Sequence, residues 1–271
     1  MSDQNPRKIN RLLTSLGDST LVTARWLREQ GYASNLLARY VASGWLESPA
    51  RGVYLRKGGH LSWQGVLRTL QADLPLHVGG RFALAWRGYE HYLRLGTSAT
   101  MTLYGPEPLP GWAGKLPLKE RIVSCGKGPF DFAALRFSAE LTDEALRERG
   151  LERLSHDSEV DGLVFATPER AMLELCDAPA DAALIYEADA LMQGMANLRP
   201  KRVETLLQHC RSIKAKRLFL ALAERHGHAW LNHVSLEGVD LGRGKRALVP
   251  GGRLHPTYHI TLPADLDEQL G

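Results

Sequence analysis

"SNLLARYVASGWLESPARGVYLR", residues 34–56, carries two structural signals back to back. In its first half Leu36, Leu37, Tyr40 and Val41 recur at helical spacing, Ser34 is available as an N-cap, and Gly44 stops the helix. In its second half two short apolar runs, Trp45-Leu46 and Val53-Tyr54-Leu55, flank Pro49-Ala50-Arg51-Gly52, a hairpin turn with a charge at its tip. The helix then shows Asn35, Arg39 and Ser43 outward, and Tyr54 on the returning strand packs beneath it.

Upstream, RKINRLLTSL at 7–16 places Ile9, Leu12, Leu13 and Leu16 on one helical face, with Gly17 as a stop. Thr23 is an N-cap for ARWLREQ, whose Trp26 and Leu27 are expected to face inward before Gly31. Three short helices and a hairpin, in this order, are the parts of a winged helix-turn-helix. The fold class expected is α+β: a winged helix-turn-helix over residues 1–58, then a larger mixed α/β domain over 59–271, with Gly58-Gly59 as a hinge. Ser34, Asn35, Arg39, Ser43, Arg51 and Arg56 are the candidate DNA contacts, the helix entering the major groove and Arg51 meeting phosphate or minor groove. A helical subdomain capped by its hairpin, or a protein-interaction module, uses the same parts.

Charge is distributed to match. The net charge is only +4, but residues 1–60 hold nine Lys/Arg against four Asp/Glu, and the rest of the chain 25 against 26. A second basic cluster, from Arg199 to Arg217, is answered only by Glu204, while residues 140–190 are acidic. Val203, Leu206, Leu207 and Cys210 form the inner stripe of one helix and Leu218, Phe219 and Leu222 that of the next. Lys201, Arg202, Arg211, Lys214 and Lys216 are therefore expected to project outward, as a possible second nucleic-acid surface or as a face that offsets the acidic stretch.

Past His60, LSWQGVLRTLQADL is helical, PLHVGG breaks it, and RFALAWRGYEHYLRLG forms another helix. MTLYG, RIVSC, ALRFS and GLVFA read as strands, EPLPGWAGKLP as a loop, the chain from 166 to 226 as mostly helical, and RALV and YHITLP as closing strands. TPERAMLELCD, residues 167–177, is a helix entered through Thr167-Pro168, with Ala171, Met172 and Leu175 inward.

Catalytic signals are weak. Gly242-Arg243-Gly244-Lys245 lacks the spacing and following hydroxyl of a phosphate loop. Asp157, Glu159, Asp161 and Glu169 suggest a metal-dependent nuclease, but no lysine lies between Lys127 and Lys201 to accompany them. His226, His228 and His233 are close in sequence without a zinc-ligand frame, and Cys176 and Cys210 fall on apolar helix faces as inert thiols. No catalytic residue, metal site or cofactor is expected. Three scattered cysteines, no apolar leader and no membrane-length segment point to the cytoplasm.

The segments ARGVYLR, TPERAMLELCD, SIKAKRLFLALAERHGHAW and DLGRGKRALVPGGRLHPTYHITLP together resemble the AbiEi family of antitoxins from type IV toxin–antitoxin systems. The resemblance spans most of the chain, and the last two segments are its most specific part. It implies an N-terminal part that binds inverted repeats in the protein's own promoter and represses the operon. It also implies a C-terminal domain that counters a nucleotidyltransferase-like toxin encoded beside it, without a stable complex. Only the winged-helix positions are carried over, as DNA contacts. Two alternatives from other classes stand beside it: a ligand-responsive winged-helix regulator, and an enzyme, nuclease or toxin-modifying, with a DNA-binding N-terminal domain.

Overall fold

The computed structural model describes residues 4–89, 100–132, 142–155 and 160–266. It begins with α1 (Gln4–Ser15), β1 (Val22–Thr23), α2 (Ala24–Glu29), α3 (Ser34–Ala42), β2 (Leu46–Ala50) and β3 (Val53–Arg56). The Thr23 hydroxyl accepts from the Trp26 N–H at 3.1 Å and so starts α2, as the sequence predicts. α3 begins one residue earlier than expected. Ala33 holds the cap position with no side-chain bond and Ser34 is already helical; buried Tyr32 anchors the preceding turn, its hydroxyl donating to the Lys8 carbonyl at 3.2 Å. Helices of six and nine residues are too short to persist alone. What holds them is a shared core of Leu12, Leu16, Leu27, Leu37 and Leu46, each burial contributing about 1.5–3 kcal/mol.

The hairpin forms as read, with one addition. β1, two residues long and not foreseen, pairs with β3 to give a three-stranded antiparallel sheet in the order β1-β3-β2. Its register sets Val22 against Tyr54 and Ala50 against Val53, with an irregularity between Glu47 and Ala50 where Pro49 has no N–H to give. Gly52, at φ +88, supplies the left-handed turn residue beside Arg51.

The larger part is built on a five-stranded mixed sheet, order β6-β5-β4-β8-β7, from β4 (His77–Gly79), β5 (Thr100–Tyr104), β6 (Arg121–Ser124), β7 (Leu151–Arg153) and β8 (Val164–Ala166). Its helices are α4 (Trp63–Asp73), α5 (Gly80–Trp86), α6 (Asp143–Glu148), α7 (Pro168–Asp177), α8 (Ala182–Gln193), α9 (Pro200–His209) and α10 (Ile213–Arg225), and β9 (Arg253–Leu254) with β10 (Thr261–Leu262) closes the chain. Two sequence expectations are corrected and one strand is new. PLHVGG is not merely a break: its His77–Gly79 is the middle strand of the sheet, antiparallel to β5 and parallel to β8. RALV contributes one bridge, Arg246 to Ile260, and the strand expected there forms instead at Arg253–Leu254. The short β7 was not foreseen. ALRFS, Asp157, Glu159 and the end of RFALAWRGYEHYLRLG lie outside the described residues.

The two parts are joined tightly. Gly58-Gly59 is not a free hinge: a Cβ at Gly59 would stand 2.6 Å from the Asp18 carbonyl, and the next N–H, of His60, donates to that same oxygen at 2.8 Å. Leu21, Val53 and Leu55 belong to the larger core, and the Thr69 hydroxyl donates to the Leu21 carbonyl at 2.6 Å.

Candidate nucleic-acid interface

α3 buries Leu37 and Tyr40 and leaves Ser34, Asn35, Ala38, Arg39, Ala42 and Ser43 exposed. These fall into two rows at i, i+4 and i+8, so one face carries a single cation bordered by small side chains. Among the described residues Arg39 and Arg51 make no ion pair, whereas Arg56 meets Asp18 at 3.4 Å and Lys57 meets Glu47 at 3.0 Å. Both of those pairs are exposed and screened by solvent.

Arg51 is exposed on a well-braced turn. The Ser48 hydroxyl lies 3.0 Å from the carbonyl oxygens of both Ala50 and Val53, and the Ala24 N–H donates to the Gly52 carbonyl at 2.8 Å. The hairpin tip is therefore tied to the first residue of α2. Two aromatic side chains stand open, one of them against expectation. Trp26, read as inward, is 36% exposed because Leu27 alone fills the core position on α2, and Trp45 is 49% exposed.

The second basic cluster divides, and most of it does not project. Lys216 is 3% exposed. Arg202 is half-buried against Glu169 at 3.3 Å. The Lys214 ammonium caps the end of α7, donating to the Asp177 carbonyl at 2.8 Å and to that of Ala178, and burial lowers its pKa. Arg217, also 3% exposed, donates to the carbonyls of Leu241 at 2.6 Å and Gly244 at 2.8 Å. Arg199, Lys201 and Arg211 stand in solvent, Lys201 beside Glu204 and Arg211 beside Asp131. The cause is local: helix ends and the irregular chain near 241–259 present carbonyls that long donors satisfy.

Of the carboxylates Asp157, Glu159, Asp161 and Glu169, the two that are described, Asp161 and Glu169, do not converge. Glu169 is buried, accepting from the Arg199 N–H at 3.0 Å, and Asp161 is exposed in a turn. His226 and His228 bond to Asp189 and to the Met192 carbonyl. Among the described residues no group of three or more His, Cys, Asp or Glu is placed to hold a metal ion, and no helix is long and apolar enough to cross a membrane. Burial raises the thiols of Cys176 and Cys210, the latter to about 11.

One polar constellation escaped the sequence. α7 is covered by α5, α8, α9 and α10, so its charged residues are interior. Glu174 accepts from Arg170 Nε at 2.8 Å, from the Gly80 N–H at 3.1 Å and from His77 Nε2 at 2.8 Å. Burial lowers the His77 pKa, with nearby Arg170 adding to the effect, so the imidazole is neutral and donates. Burial alone would raise Glu174, but His77 and Arg170 outweigh it and hold the carboxyl below its ordinary range. Tyr104 stacks on His77 at 5.5 Å, and burial pushes its hydroxyl far upward. The signal available was Arg170 and Glu174 at i, i+4 on the helix whose Ala171, Met172 and Leu175 read as inward.

Comparisons place this architecture. No curated protein matches the chain. The crystal structure of the RV2827C protein from Mycobacterium tuberculosis is similar at a TM-score of 0.59 over 98% of this chain and 94% of that one, with 18% identity, a likeness of fold. Residues 5–95 match the family model described as transcriptional regulator, AbiEi antitoxin N-terminal domain. Residues 98–263 match the one described as transcriptional regulator, AbiEi antitoxin, type IV TA system. With both models together spanning nearly its whole length, the chain belongs to the AbiEi family of antitoxin transcriptional regulators of type IV toxin–antitoxin systems.

Proposed function

We propose that the protein represses its own promoter through a winged helix-turn-helix in residues 1–58, and that residues 59–271 counter a nucleotidyltransferase-like toxin encoded beside it without a stable complex. The observation that supports the first half is the exposed face of α3, where Arg39 stands among Ser34, Asn35, Ala38, Ala42 and Ser43 without an acidic partner among the described residues. Small neighbours let the helix seat deeply in a major groove while Asn35 and Arg39 reach base edges. Arg51 and Arg56 then meet phosphates, which replace the exposed Asp18 as the acceptor for Arg56.

The test is a gel-shift titration of full-length protein on its promoter fragment and on a scrambled duplex, with footprinting to locate the site. A protected inverted repeat and markedly tighter binding to the promoter are expected. Equal affinity for both duplexes ends the repressor reading. For the second half, co-expression should relieve growth arrest by the neighbouring gene product while the two proteins fail to co-purify. Arrest that persists ends the antitoxin assignment.

A ligand-responsive regulator is favoured by one feature. A cavity of about 540 Å³ lies between α2 and α4, bordered by Trp26, Thr20, Ser62 and Thr69. A small molecule held there would bear on the seating of α2 and shift operator affinity.

A further inference from the structure

A second cavity, of about 160 Å³, opens where β5 and β6, a parallel pair, reach their carboxyl ends. Its inner wall is the guanidinium of Arg170, lying 4.5 Å over the Phe130 ring and already neutralised by Glu174. Arg170 also fixes the rim, since its Nη1 donates to the Arg149 carbonyl at 2.7 Å.

The remaining charge is unbalanced. Arg149, Lys127 and Arg211 all border the cavity against one lining carboxylate, Asp131, which His209 shares at 3.0 Å; Glu148, 3.9 Å from Arg149, is not part of the lining. Arg211 is 3.6 Å from Asp131 with its side chain 75% exposed, and Lys127 is exposed with no ion pair among the described residues. Arg149 Nε is buried and has no hydrogen-bond partner there. Its Nη1 donates to the Ala145 carbonyl at 3.0 Å and lies 3.9 Å from Glu148, so the guanidinium is only partly satisfied.

Flat surfaces accompany the charge. Phe132 stacks at 5.8 Å on Phe130 and at 4.4 Å on His209, and the Tyr104 and His77 rings line the other side. Cationic side chains with ring faces are the means by which proteins hold a phosphate and its base together. At this volume the cavity seats part of one nucleotide, the rest standing in solvent, and a duplex is far too large to enter.

We propose that this cavity binds one nucleotide unit, its phosphate held by Arg149, Lys127 and Arg211 and its base against Phe132. The shared chemistry has two sources, a free nucleoside triphosphate or the end of a single-stranded nucleic acid. The site is separate from the α3 face, so its variants should bind the promoter fragment as the unaltered protein does.

Calorimetric titration of the full-length protein with ATP, GTP, CTP, UTP and a 5′-phosphorylated uridine hexamer tests it. Saturable binding of at least one is expected, and whether the mononucleotides or the hexamer bind more tightly identifies the source. Lys127→Glu with Arg211→Glu, both at exposed positions, should weaken that binding tenfold or more at an unchanged melting temperature. Lys127→Ala alone should weaken it about threefold, a check that holds even if the double variant folds poorly. Phe132→Leu should weaken it as well, and Lys201→Glu, outside the cavity, should not. No saturable binding to any of the five probes up to millimolar concentration overturns the proposal. So does binding that the charge variants or Phe132→Leu leave intact.

Discussion

Arg39 on α3 and Arg217 on α10 both stand among apolar residues at helical spacing, yet they have opposite fates. The first is exposed and without an ion pair among the described residues; the second is 3% exposed and holds carbonyl oxygens of the chain near 241–259. α3 has one covered face, because the small N-terminal core lies on one side of it. α10 is packed against α7 and α8 and overlaid by the C-terminal segment, whose irregular backbone leaves acceptors that no sheet or helix satisfies. A cluster of cations in sequence therefore reports a need for donors, and only the covering of the helix decides whether that need is internal or belongs to a partner.

The interior side of this comparison is broken most forcefully at Glu174. Glu174→Ala leaves Arg170 buried without its carboxylate and the Gly80 N–H without its acceptor, a loss of about 3–5 kcal/mol. The melting temperature should drop by roughly 10 °C. A drop of less than about 2 °C would show that Arg170 finds another acceptor. Acidity probes the same group more gently. The folded His77 pKa is depressed, so the unfolded chain takes up the proton first. The contribution of His77 is whole above about pH 6.5 and is lost as pH falls through the folded value. Glu174 is also depressed, so its contribution is whole above about pH 4.3 and is lost at lower pH. Melting temperature should therefore fall between pH 7 and 5, and His77→Gln should flatten that slope.

Arg217→Ala tests whether the second cluster is structural. It orphans the Leu241 and Gly244 carbonyls, at a cost of ~2–4 kcal/mol. Below its lowered melting temperature the variant should bind the promoter normally. Weakened binding at unchanged stability would reverse the assignment and return this residue to a surface role.

How far the sequence was legible follows from the same physics. α2, α3 and the hairpin could be read because apolar period, cap and glycine agree within a few residues, as with Thr23 before α2 and Gly52 at the turn. The middle strand β4 could not, since three residues are too few for alternation and Gly79-Gly80 imitate a loop. Lys216 misled, and Arg170 and Glu174 went unread, for a related reason: periodicity assigns charged residues to the outside of a helix, whereas α7 and α10 are covered all round and pair their charges within. The DNA-contact candidates on α3 were named from helix phase and Arg51 from its place at the hairpin tip, and the exposure of α3 agrees with that phase.

On the exposed side, Arg39→Ala removes the one cation of the α3 face. If that guanidinium reads a base edge, the promoter complex should lose ~1–3 kcal/mol and a scrambled duplex much less. A gel-shift series on both duplexes measures the difference. Equal losses would move Arg39 from base reading to phosphate contact and leave specificity to Asn35 and Ser43.

The smallest effect is expected at Arg51, and the bracing of its turn explains why. With the Gly52 carbonyl held by the Ala24 N–H, the hairpin tip stays level with the start of α2 rather than reaching far along the duplex. From there a guanidinium meets the backbone more readily than a base edge, so Arg51→Ala should weaken promoter and scrambled duplex alike. It should also lower the slope of log affinity against log salt by about one unit, the signature of one lost phosphate contact. Titrations at four or more salt concentrations resolve this. A loss confined to the promoter, with the salt slope intact, would instead place Arg51 in the minor groove and make the short hairpin a reader of sequence.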